Sequence, residues 1–79
     1  MTMQVADQLL DAKGLNGPLP ILKAKKALTA LPQDAVLEIH ATDRGAVKDF
    51  EAFCRSTGNT LLESRVDGKT YVFLIKHTA

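Results

Sequence analysis

Residues Gly14 to Leu28 read GLNGPLPILKAKKAL. This is a strand exit, a sharp turn and a helix start, and the rest of the chain can be placed around it. Pro18 suits the first helical position, because it has no N–H to leave unsatisfied and its φ is already near the helical value. Gly17 then falls at the N-cap, where side chains accept hydrogen bonds from free amides and the helix dipole concentrates positive charge. An anion or thiolate at residue 17 would be stabilised there, and a cysteine would have a lowered pKa. The chain carries glycine instead.

From Pro18 to Leu31 the pattern is helical. At about 100° per residue, Ile21, Ala24, Ala27, Leu28 and Leu31 share one face, the expected core stripe. Leu19, Leu22, Lys23 and Lys26 share the other. Two leucines beside two lysines near residue 17 read either as a partner-docking patch or as ordinary scattered surface residues. Lys13, Lys23, Lys25 and Lys26 give the region from Ala12 to Gln33 four positive charges and no negative one. Such a cluster, with Arg44 as an extension, could steer an acidic partner, and solvated lysines are the plain alternative.

Upstream, Val5 to Asp11 suits a first strand. Downstream, Pro32 ends the helix and Ala35 to Ala41 forms a second strand rich in apolar and β-branched residues. Thr42 or Asp43 can cap a second helix, about Gly45 to Thr57, whose Ala46, Val47, Phe50, Phe53 and Cys54 gather into one arc opposite Lys48, Glu51, Arg55 and Ser56. Gly58-Asn59 is a helix stop. Thr60 to Val66 and Lys69 to Lys76 then form a hairpin about Asp67-Gly68. Counting outward from that turn sets Leu62 opposite Phe73 and Ser64 opposite Tyr71, with Tyr71, Phe73 and Ile75 on the core face and Val72 and Leu74 pointing the other way, unless a partner or edge covers them. The order βαβαββ predicts an α+β fold, a two-layer sandwich with two helices on one face of a four-stranded mixed sheet.

Seventy-nine residues with formal net charge +1 predict one domain, residues 1–79, with room for a binding edge and not for a deep pocket. Balanced charge and few aromatics argue against nucleic-acid binding and against disorder. Met1 to Leu10 lacks the pattern of a signal peptide, and no run is apolar enough for a membrane span. A cytoplasmic monomer is expected. The single cysteine, Cys54, excludes an internal disulfide. Its place in the apolar arc reads as core packing, with a substitute nucleophile as the alternative. With only His40 and His77 beside it, no metal and no cofactor are expected. Asp11, Asp43, Glu63 and Asp67 show no spacing for paired acid and base catalysis. The Gly-x-x-Gly of Gly14 to Gly17 matches a nucleic-acid clamp in form only, because that clamp joins two helices.

The stretch from Gly14 to Leu28 resembles the TusA or SirA-like sulfur-carrier family, marked by Gly-Leu-x-Cys-Pro-x-Pro, four further residues and Lys-Lys-Ala-Leu. Gly14, Leu15, Pro18, Pro20, Lys25, Lys26, Ala27 and Leu28 match it position by position, as do the chain length, the element order and Ala41-Thr42-Asp43 before the second helix. The resemblance implies the βαβαββ fold and a persulfide relay between sulfur-donor and sulfur-acceptor proteins, serving tRNA thiolation, cofactor assembly or sulfur oxidation. It implies that residue 17 is the catalytic position, that Pro18 and Pro20 fix the helix start, and that Leu19, Leu22, Lys23 and Lys26 help bind partners. Only the cysteine departs, being Gly17, so the chain is expected to dock without carrying sulfur. Gly17 is then either the silenced position of a working carrier, by natural loss or deliberate substitution, or native to a binding or regulatory module that uses the same surface.

Overall fold

In order along the chain, the elements are β1 (Gln8–Ala12), α1 (Leu19–Ala30), β2 (Val36–Ala41), α2 (Ala46–Thr57), β3 (Thr60–Asp67) and β4 (Thr70–Lys76). They are those of a computed structural model that describes residues 6–79. Val5, the expected first residue of β1, and the part of the Met1–Leu10 stretch before it lie outside the described residues. The two helices end by different means. Pro32 forces Leu31 out of the helical region, to φ −89° and ψ 151°. Gly58 closes α2 in the left-handed conformation, φ 86°, with its N–H on the Cys54 carbonyl.

The four strands form one sheet in the order β1-β2-β4-β3. β1 and β2 are parallel, and the other two pairings are antiparallel. The α+β sandwich with a mixed sheet is therefore as expected. Both helices cover the same face, α1 over β1 and β2 and α2 over β3 and β4. Between the layers lie Ala12, Ala24, Leu28, Leu37, Ile39, Phe50, Cys54, Phe73 and Ile75. The rings of Phe50 and Phe73 meet at 4.7 Å between centroids, joining α2 to the central strand.

Two local expectations are corrected. Neither Thr42 nor Asp43 is the cap of α2, because the N-cap is Gly45. Asp43 instead accepts the Gly45 N–H at 3.1 Å, and the Thr42 hydroxyl is turned to Gly14. In the hairpin, Asp67 pairs with Thr70, so the two loop residues are Gly68 and Lys69. Gly68 has φ 65°, and a type II′ turn demands such an angle at its first loop position. The pairs are accordingly Ser64 with Phe73 and Val66 with Tyr71, and a bulge falls between Leu61 and Glu63. This displacement is two residues, so Tyr71, Phe73 and Ile75 keep the core face.

Val72 and Leu74 turn, as expected, to the face without helices. They are only 2% and 4% exposed. Val72 lies between His40 and Arg65, and Leu74 between Glu38 and Glu63. Those long side chains pair along their own strands, His40 with Glu38 at 2.6 Å and Arg65 with Glu63. Val72 and Leu74 are thus flanked on both sides by larger side chains of the neighbouring strands, which accounts for their low exposure.

Residues 77–79 fasten the helix ends. The His77 backbone bonds Asp34 and Ala35, and its Nδ1 donates to the Leu31 carbonyl at 2.9 Å. The amides of Thr78 and Ala79 both reach Asn59 Oδ1 at 3.1 Å.

Candidate functional site

Two consecutive turns carry the chain from β1 into α1. The first is closed by the Leu15 N–H on the Ala12 carbonyl at 3.3 Å, with Gly14 at φ 82°. Its Gly14 N–H donates to Thr42 Oγ1 at 2.9 Å, tying this loop to the one that follows β2. Asp11 accepts the Lys13 N–H and also meets its ammonium at 3.2 Å. These contacts hold the Asp11 carboxyl below its ordinary pKa, the backbone bond contributing most.

The second turn is closed by the Leu19 N–H on the Asn16 carbonyl at 3.3 Å. Gly17 has φ 61° and Pro18 has φ −80° and ψ −5°, angles that suit the central residues of a type II′ turn. Because this turn takes the Leu19 amide, the helix begins one residue later than expected. Pro18, not Gly17, is the N-cap, and Pro20 stands within the first helical turn. A side-chain carbon built on Gly17 meets nothing within 4 Å. Residue 17 is thus displayed on the apex of an exposed turn, not enclosed.

This arrangement alters the electrostatics expected at the helix start. Pro18 and Pro20 have no amide proton, the Leu19 N–H serves the turn, and that of Leu22 bonds the Pro18 carbonyl. Among the first helical amides only that of Ile21 is free for a guest, so the dipole acts largely without direct donors.

The expected docking residues separate into two groups. Leu19 and Leu22 are 46% and 56% exposed, and Pro18, Lys23 and Lys26 are exposed beside them. Pro20, unlike these, is buried. Lys23, Lys25 and Lys26 make no ion pair among the described residues, whereas Lys13 is engaged by Asp11. Arg44 is exposed on the loop that Thr42 ties to Gly14.

A feature absent from the sequence reading lies on the other flank of α1. An open groove of about 530 Å³ runs between the helices, lined by Pro18, Ile21, Asp49, Ala52, Phe53 and Ser56. Asp49, Ala52, Phe53 and Ser56 share one flank of the α2 helical wheel, which was the available signal. Which flank faces α1 depends on the packing of the two helices.

Cys54 is buried in α2, and burial pushes its thiol up to about 11. That is the core role, since a nucleophile needs a lowered pKa and access. No group of three or more His, Cys, Asp or Glu side chains able to hold a metal occurs among the described residues. No helix there is long and apolar enough to cross a membrane.

The fold is that of a small α+β sandwich in which residue 17 is displayed on a surface rather than in a cleft. The chain belongs to the TusA sulfurtransferase family, whose model matches residues 8–77. It is 59% identical over 70 residues to the sulfur carrier protein TusA of Allochromatium vinosum, covering 89% of this chain and 92% of that one. A putative sulfur carrier protein of Neisseria meningitidis is 49% identical over 70 residues, covering 89% and 95%. The crystal structure of a SirA-like protein from Desulfitobacterium hafniense superposes with a TM-score of 0.78 at 22% identity, covering 91% of this chain and 99% of that one.

Proposed function

We propose that this protein is a sulfur-carrier scaffold that engages the donor and acceptor proteins of a persulfide relay but, with Gly17 in the family's cysteine position, does not carry the sulfur itself. The observation that supports it is the open space around residue 17 at the head of α1. A thiolate there could attack the outer sulfur of a donor persulfide, taking that sulfur and releasing the donor thiolate, and an acceptor thiolate would repeat the step. Glycine retains the display and removes the nucleophile. Leu19, Leu22, Lys23 and Lys26 supply the docking contacts, with Pro18 at their edge. The destinations implied by the family are tRNA thiolation, cofactor assembly and sulfur oxidation, in the cytoplasm.

A second reading, a docking or regulatory module that natively lacks the thiol, is favoured by one observation. The φ of Gly17 is left-handed and immediately precedes proline, a combination suited to glycine and not to cysteine.

Both readings are tested by intact mass after incubation with a cysteine desulfurase and cysteine, comparing the protein with its Gly17→Cys variant. Added mass that a reductant removes, on the variant alone, is the expected result. Sulfur on both would move the nucleophile to Cys54. Sulfur on neither, with both folded, would defeat the carrier reading for that donor. A glycine codon at position 17 in the natural gene would select the docking module.

A further inference from the structure

β3 is the outer strand on the side of the sheet away from β1. It runs for eight residues, all exposed but Leu61, and among the described residues it pairs only with β4. Leu62 and Val66 on it are 40% and 63% exposed. A long edge of this kind is a ready template for another strand. In an antiparallel ladder, successive residues direct their N–H and C=O groups alternately at the partner strand and away from it. Asp67 and Thr70 close the two-residue loop. Counting from them, Ser64 and Val66 direct their backbone groups away from β4.

We propose that this edge pairs with the same edge of a second copy of the chain, antiparallel, about a two-fold axis at Ser64. In that register the two Ser64 residues face each other and Glu63 of each copy lies opposite Arg65 of the other, while Leu62, at the bulge, comes to the margin of the pairing near Val66. Symmetry makes each unlike pair occur twice. Cross-strand pairs of opposite charge and of apolar residues are the ones that stabilise an antiparallel ladder, and like charges directly opposite oppose it.

The competing registers are worse on this chain. An axis at Glu63 or Arg65 would set like charges face to face at the closest approach of the two strands. An axis at Val66 runs at once into the Gly68-Lys69 turn, and an axis at Leu62 meets the bulge. The axis at Ser64 pairs residues 61 to 67 and opposes unlike charges. The pairing consumes this edge of both copies, so it closes as a dimer and does not propagate as a fibre. The turn bearing Gly17 leaves β1 at the opposite edge and stays free, so the dimer stands or falls separately from the sulfur-carrier reading.

Sedimentation of the full chain over a dilution series tests the pairing, and reversible dimerisation is expected. Ser64→Pro removes an amide that β4 does not use, so it should yield a monomer with unchanged circular dichroism. Arg65→Glu sets carboxylates opposite one another twice and should weaken association about tenfold or more. The double variant Glu63→Arg with Arg65→Glu should restore it. Should Ser64→Pro not fold, the single and double charge variants decide. A protein that stays monomeric into the millimolar range, a dimer that survives folded Ser64→Pro, or a double variant that fails to recover would each overturn the proposal.

Discussion

Gly17 holds φ 61° directly before a proline. A residue with a Cβ loses about 1 kcal/mol or slightly more in that region. Urea unfolding should therefore find Gly17→Ala and Gly17→Cys destabilised alike by about 1 kcal/mol, since both meet open space and share only the backbone penalty. A Gly17→Cys protein as stable as the parent would mean that the turn re-forms freely around an L residue. Cys54 gives a separate prediction. With the thiol pushed up to about 11 from the ordinary 9.0, the folded state holds its proton more tightly than the unfolded chain does. Stability is then intact below about pH 9 and falls as the pH rises toward 11. Alkaline melts should show this fall, and Cys54→Ala should remove that part of it. Iodoacetamide at neutral pH should label Cys54 slowly in the native protein and quickly in urea.

Among the elements, the hairpin shows where pattern reading stops. Asp67-Gly68 marks a turn in either of two placements, and what distinguishes them is the pairing of Asp67 with Thr70, with no positive φ at Asp67. Gly68→Ala should cost about 1 kcal/mol because its φ of 65° is left-handed. Asp67→Ala, on a strand residue outside the loop, should cost distinctly less. Equal losses would return the turn to Asp67-Gly68. The helices were more legible, since Pro32, Gly58 and the apolar stripes act through local chemistry. Within α1, the start was misplaced by one residue because the Asn16 carbonyl claims the Leu19 amide, and no propensity rule anticipates that bond. Pro20 was legible as a helix-start residue but not as a buried one. The groove beside Pro18 and Ile21 needed the relative placement of two helices, which the sequence does not encode locally.

For the molecule as a whole, charge is segregated. The exposed face of α1 carries Lys23, Lys25 and Lys26 without a paired acid among the described residues, while the helix-free face of the sheet mixes Glu38, His40, Glu63 and Arg65. If α1 is the docking face, Lys23→Glu with Lys26→Glu should slow association with a sulfur donor by about tenfold or more at low salt, an effect that shrinks as salt is raised. Stopped-flow or surface-based association rates would measure it. A salt-independent rate would remove steering from the account. The two-layer architecture was legible throughout, because a four-strand, two-helix order with one apolar face per element admits few packings. The burial of Val72 and Leu74 was not, because it depends on side chains from two neighbouring strands.

The strand order also gives the molecule a mechanical direction. β4 lies between β2 and β3, and residues 77–79 continue from it into bonds with Leu31, Asp34, Ala35 and Asn59. A motor that grips the chain beyond residue 79 must shear two ladders and tear out that clasp together. One that grips ahead of β1 peels a strand with a single neighbour among the described residues. An unfolding machine should therefore thread this protein far more readily from its amino side than from its carboxyl side.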